Sequence, residues 1–155
     1  MKKTTSPTKK RKSSVVKSTA KKRYPRATHL PDFVEARWIP EMNGWGVFAL
    51  EPVKKGRLIE RAPVLFLPEK EYQKVAETKL ENYAYGWPRG AAIVFGYGSL
   101  YNHSFEPNAE VFHDEDNRCL VYEALRPIKK GEEIRVDYTG DGTVEGIWFK
   151  EQVGA

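Results

Sequence analysis

Gly96-Tyr97-Gly98-Ser99-Leu100-Tyr101-Asn102-His103-Ser104-Phe105-Glu106-Pro107-Asn108 is the stretch that decides the reading of this chain. An apolar run, Ala91 to Phe95, leads into it, and a strand-like run, Ala109 to His113, leads out. The stretch itself is too polar for a strand and too interrupted for a long helix. Gly96 and Gly98 permit close backbone approach or unusual dihedrals. Pro107 and Asn108 restart the chain in an extended direction. Asn102 and His103 carry amide and imidazole groups that need partners wherever they are buried. Alone, the segment reads as a capped turn holding a satisfied histidine, and its meaning depends on what surrounds it.

Outward from it, short strands and turns alternate. Phe33 to Ile39 is predicted as a strand bounded by prolines, followed by an Asn43-Gly44 turn signal and a second strand over Gly46 to Leu50. Arg57 to Leu67 supplies either a strand pair or one bent strand. Pro68 opens one helix, Glu69 to Leu80, with Tyr72, Val75, Ala76 and Leu80 on one face. Ala91 to Phe95, Ala109 to His113, Arg118 to Leu125 and Glu133 to Tyr138 read as further strands. The expectation is a mainly β domain with one short helix. No repeat is read from the chain. Two turns, Pro52-Val53-Lys54-Lys55-Gly56 and Pro127-Ile128-Lys129-Lys130-Gly131, resemble each other as similar solutions to similar turns.

Charge is unevenly divided. Of the 26 Lys and Arg, residues 1–26 hold 11 and no acid; the remainder has 15 basic and 21 acidic residues, a net −6 under an overall +5. Residues 1–27 are therefore expected to be a disordered basic tail, and residues 28–155 the folded domain. The tail is either a solubilising extension or a nucleic-acid contact. Ser6-Pro7-Thr8-Lys9 matches the Ser-Pro-x-Lys pattern that recurs in DNA-binding tails. A single cysteine, Cys119, excludes an internal disulfide and any Cys-rich zinc module. It fits an intracellular compartment: cytoplasm or nucleoid in a bacterium, nucleus in a eukaryotic or viral setting. No run approaches a membrane span. His29, His103 and His113 are scattered without metal-ligand spacing, so no metal site is expected.

Taken in order, Gly44-Trp45-Gly46-Val47-Phe48-Ala49, Gly56 with Ile59-Glu60, Asn102 to Asn108, and Gly131-Glu132-Glu133-Ile134 leading to Asp137-Tyr138 resemble the SET domain of S-adenosylmethionine-dependent protein-lysine methyltransferases. The resemblance runs from about Phe33 to Phe149, and its compactness is most similar to the viral and bacterial members that lack a zinc module. It implies small β-sheets around a C-terminal pseudoknot, S-adenosylmethionine as cofactor, and a protein or peptide lysine as substrate. It also implies roles for particular residues. Tyr138 resembles the active-site tyrosine, its hydroxyl near the methyl in transit. Gly44, Trp45, Gly46, Asn102 and His103 resemble the cofactor contacts, with Trp45 open to an ordinary packing role. Tyr83 resembles a cofactor- or channel-lining tyrosine, and Tyr97 a channel wall. Ile147, Trp148 and Phe149 would form a lid in place of the zinc module, or else a C-terminal anchor. The positions near Val111 and Val136 are aliphatic where relatives place an aromatic controlling product multiplicity, so the degree of methylation is not legible. A catalytically silent SET-like binding module tethered to nucleic acid by the tail is the alternative function. A DNA-binding architectural protein is disfavoured by the acidic body.

Overall fold

The computed structural model describes residues 31–139. Among the described residues, nine strands form two sheets. β1 (Val34–Ile39) and β2 (Gly44–Ala49) make a hairpin whose register pairs Ile39 with Gly44. Asn43 closes the connection at φ 48°, a left-handed conformation that asparagine tolerates better than most residues. β9 (Glu133–Val136) pairs antiparallel with β2 and parallel with β6 (Asn102–His103), giving the order β1-β2-β9-β6. The second sheet contains β3 (Leu58–Pro68), β4 (Ala84–Trp87), β5 (Gly90–Val94), β7 (Ala109–Asp114) and β8 (Cys119–Ala124), in the order β4-β5-β3-β8-β7.

β3 is the bent strand of the two readings offered by the sequence. Leu58 to Pro63 pairs with β8, with an irregularity after Leu58, and Val64 to Pro68 pairs with β5. Pro63 stands at the hand-over, where its missing N–H costs no ladder bond. The helix is shorter than predicted: α1 spans only Glu69–Val75. Thr78 ends it, donating its hydroxyl to the Val75 carbonyl (2.7 Å) while accepting from Leu80 N–H (3.2 Å), which starts a separate 3-10 turn over Lys79–Tyr83. Leu80, placed by periodicity on the buried face, is exposed. The Gly96–Asn108 stretch also departs from expectation, because it contains the two-residue strand β6. That strand is held by a partner 33 residues away in sequence, so local pattern could not announce it.

The core is built around Tyr101, Tyr122, Leu120, Ile128, Ile134, Val47, Val53 and Val136, all fully buried. The two lysine turns meet in space. Val53 and Ile128 exchange backbone hydrogen bonds of 2.9 Å in both directions. Gly56 N–H donates to the Ala124 carbonyl and Gly131 N–H to the Ala49 carbonyl, each at 2.7 Å, with the two glycines at φ 75° and 80°. Ala49 to Arg57 and Ala124 to Glu132 therefore form one nine-residue unit built twice and related by an approximate two-fold axis. The resemblance between the turns is more than a shared solution to a turn.

Candidate active site

The centre of the site is the crossing of β9 and the segment after Tyr101. Ser104 N–H donates to the Val136 carbonyl (2.9 Å) and Asn108 N–H to the Arg135 carbonyl (3.1 Å), so the segment clasps β9 from both ends. Asn108 completes the clasp. Only 2% exposed, it donates from Nδ2 to the Glu133 carbonyl (2.8 Å) and Glu132 Oε1 (3.1 Å) and accepts Arg135 N–H on Oδ1 (2.8 Å). The pseudoknot that the resemblance implies is formed by the segment following Asp137-Tyr138, which from residue 140 onward lies outside the described residues.

Asn102 and Gly46 meet across β9. Asn102 Nδ2 donates to the Trp45 carbonyl (3.0 Å) and to Glu133 Oε1 (2.7 Å). A Cβ at Gly46 would lie 2.6 Å from Ile39 Cδ1, 2.7 Å from Glu133 Oε1 and 3.2 Å from Asn102 Nδ2. A side chain at Gly46 would therefore have to displace the Ile39 and Glu133 side-chain ends and crowd the Asn102 amide. A Cβ at Gly44 would meet only the Met42 carbonyl, at an ordinary 3.7 Å. The Trp45 ring is half-exposed and touches Trp38 edge-on at 5.6 Å, a cross-strand pair.

His103 is enclosed, its side chain 3% exposed. Its Nδ1 accepts the Tyr138 N–H (3.1 Å), and Phe105 meets its ring edge-on. An Nδ1 that accepts leaves the proton on Nε2, so the ring is the neutral tautomer. Burial agrees by lowering its pKa, with nearby Asp137 opposing. Tyr138 in turn donates its hydroxyl to the Tyr101 carbonyl (2.6 Å). Tyr138 is 42% exposed as a residue but its hydroxyl is part-buried, and that desolvation, then the neighbouring Tyr85, Glu133 and Tyr83, push the phenol above its ordinary pKa, so it stays protonated at neutral pH.

Of the predicted residues, Gly46, Trp45, Asn102, His103 and Tyr138 come together here, and Gly44 begins the same strand. Tyr83 ends the 3-10 turn, is 41% exposed, and accepts Ser99 Oγ on its carbonyl (3.2 Å). Tyr97 packs against the core, its N–H bonded to Glu60 Oε1 (3.1 Å). Trp148 lies outside the described residues. Val136 is fully buried, so its side chain lines no open channel.

Two supports were given no role by the sequence reading, although Glu60 stands in one of its motif blocks. Tyr85 meets the Tyr138 ring edge-on at 6.3 Å and anchors its hydroxyl on the Gly98 carbonyl (2.9 Å), burial pushing its pKa up to about 12. Glu60, 4% exposed, accepts both Tyr97 N–H and Tyr101 Oη–H (2.9 Å), and burial raises its pKa against those bonds. Its signal was a lone carboxylate inside the apolar run from Leu58 to Leu67.

The SET domain family profile matches residues 44–139, which hold β2, β6 and β9. A Schizosaccharomyces pombe histone-lysine N-methyltransferase, H3 lysine-37 specific, is 37% identical over 117 residues, covering 74% of this chain and 76% of that protein. The Saccharomyces cerevisiae histone-lysine N-methyltransferase SET5 is 44% identical over 45 residues, 29% of this chain and 9% of that protein. A crystal structure of a Plasmodium falciparum protein, described as a candidate histone methyltransferase, superposes with a TM-score of 0.57 at 32% identity. It covers 68% of this chain and 91% of its own. With the paired β6 and β9, the Asn-His-Ser turn and the Asp-Tyr end all inside the matched interval, the chain belongs to the SET-domain family of protein-lysine methyltransferases.

Proposed function

We propose that this protein is an S-adenosylmethionine-dependent protein-lysine N-methyltransferase acting on a chromatin-associated protein inside the cell. The observation that carries the reading is the Tyr138 hydroxyl, protonated and aimed at the Tyr101 carbonyl, beside an Asn102 whose amide is fixed against Trp45 and Glu133. The residues fit the cofactor. The half-exposed rings of Trp45 and Tyr83 offer flat apolar faces, and Gly44 to Gly46, Asn102 and His103 offer main-chain and amide groups to its amino-acid and adenine ends. When bound, the cofactor supplies an electrophilic methyl for in-line transfer to an amine.

The chain's own residues would supply position and dryness. A phenol with a raised pKa is a poor base, so Tyr138 acts as a fixed hydroxyl that orients the reacting groups. Tyr138 and Tyr85 present ring faces and edges to a lysine stem. A site of this kind disfavours the ammonium by desolvation, and its proton leaves to solvent before transfer. Carbonyls such as that of Tyr101 accept weak C–H contacts from a methyl, a second-order aid. Alignment is the largest contribution, up to roughly 7–11 kcal/mol when attack geometry is set in advance.

The histone enzymes among the relatives support a histone or similarly packaged substrate. The basic tail, which lies outside the described residues, supports a nucleic-acid tether that concentrates the enzyme near DNA-bound protein. The test is incubation with methyl-labelled S-adenosylmethionine and purified histones or whole-cell extract, followed by identification of the labelled lysine. Cofactor binding without any transferred label would favour the silent binding module.

A further inference from the structure

The paired lysine turns form a surface that methyl transfer leaves unused. Pro52, Val53, Lys54, Lys55, Pro127, Ile128, Lys129 and Lys130 bound a shallow cavity of about 380 Å³. In each turn the aliphatic residue is buried to 1%, while the proline, both lysines and the glycine or its neighbour stand exposed. The flanking guanidiniums are already neutralised. Arg57 pairs with Glu51 and Arg126 with Glu132, each at 2.8 Å, so each turn is spanned by its own ion pair. Lys54, Lys55, Lys129 and Lys130 are different: among the described residues, no carboxylate comes within ion-pair distance of their ammonium groups. The nearby acids are Glu51 and Glu132, each held by its arginine, with Glu132 Oε2 also accepting Lys129 N–H (2.9 Å), and Glu123, whose Oε1 is 3.8 Å from where a Cβ of Gly56 would stand.

Four ammonium groups thus rise from a base fixed by reciprocal backbone bonds, in a body whose sequence is otherwise net acidic. We propose that this surface binds the phosphodiester backbone of nucleic acid, independently of the basic tail. One feature favours phosphates over an acidic peptide: two like lysine pairs, related by an approximate two-fold axis, match a polymer that presents anions at regular intervals. Each lysine that neutralises a phosphate releases counterions condensed on the nucleic acid.

The test uses the full-length chain with a labelled duplex of about 20 base pairs, titrated at salt between about 50 and 200 mM. At about 0.9 per phosphate contacted, replacing all four lysines (K54A, K55A, K129A, K130A) should lower the log–log salt slope by roughly 3 to 4. The wild-type advantage should then shrink about 10²-fold across that salt range. The same four positions changed to arginine should restore the slope, and turnover of a free lysine peptide should be unchanged in both variants. If the quadruple variant fails to fold, K54A with K129A, one lysine from each turn, should lower the slope by roughly 2. An unchanged slope and affinity in a folded variant would overturn the proposal. So would an unchanged DNA slope accompanied by lost binding to a polyglutamate peptide, which would assign the surface to an acidic protein.

Discussion

Gly46→Ala isolates the contact that orients Asn102. The added Cβ would stand 2.7 Å from Glu133 Oε1 and 3.2 Å from Asn102 Nδ2, two atoms that are themselves bonded at 2.7 Å. Ile39 Cδ1, 2.6 Å away on the other side, closes the remaining direction, although a methyl at a side-chain end can turn aside. Glu133 is also held by Arg135 through its other oxygen (2.7 Å), so it has little room to withdraw. The expected result is loss of the Asn102–Glu133 bond. A hydrogen bond to a charged acceptor contributes about 1.5–3 kcal/mol, which converts to roughly 10- to 150-fold in affinity for a ligand that needs Asn102 in place. Calorimetric titration with S-adenosylmethionine and its demethylated product should show that loss for both. Gly44→Ala is the control, since its Cβ makes only an ordinary 3.7 Å contact and affinity should stay within a few-fold. Wild-type binding by folded Gly46→Ala would refute the reasoning. Equal losses in the two variants would move the glycine requirement from the Asn102–Glu133 pair to direct ligand contact.

Asn108→Ala should destabilise the fold by about 2–4 kcal/mol, because it strands the buried Arg135 N–H and Glu133 carbonyl. Circular dichroism melting should register this as a drop of roughly 10–20 °C. His103 gives a pH dependence. Its folded pKa lies below the unfolded value of 6.5, so the unfolded chain takes up the proton first as pH falls. The stabilisation is complete above pH 6.5 and is lost as pH falls toward the folded pKa; melting temperatures should decline over that window and decline less in a folded His103→Asn variant. Glu60→Gln should loosen the site from beneath, since Tyr97 N–H and Tyr101 Oη–H are accepted by the two separate carboxylate oxygens and an amide puts an NH2 donor in place of one of them. The expected cost is about 1–3 kcal/mol, read by denaturant unfolding.

β1, β5, β7 and β8 were legible in the sequence to within a residue or two, although only β8 alternates strictly in burial. Their signals are local: short apolar runs bounded by prolines, glycines and polar turn residues. The helix end was not legible, because Thr78 competes for the backbone through its hydroxyl while Leu80 keeps the apolar spacing going. β6 was invisible for the opposite reason, being two polar residues that become a strand only when β9 arrives. Asn102, His103 and Tyr138 were found through an ordered set of motifs. Asn108 and Glu60 stand inside the motif blocks, yet neither they nor Tyr85 were given a role, because their partners lie 13 to 41 residues away. The two lysine turns show the same limit, since their likeness was readable and their meeting was not.

Tyr138→Phe tests the central claim most directly. The variant removes one oxygen, the donor to the Tyr101 carbonyl, and leaves the ring contacts with His103 and Tyr85. Single-turnover transfer of labelled methyl from S-adenosylmethionine to a lysine substrate should fall roughly 10²–10³-fold, the scale of losing one preorganised donor at a reacting centre. Cofactor affinity should stay within a few-fold and circular dichroism should be unchanged. Transfer at the wild-type rate by the folded variant would contradict the account and remove Tyr138 from the chemistry.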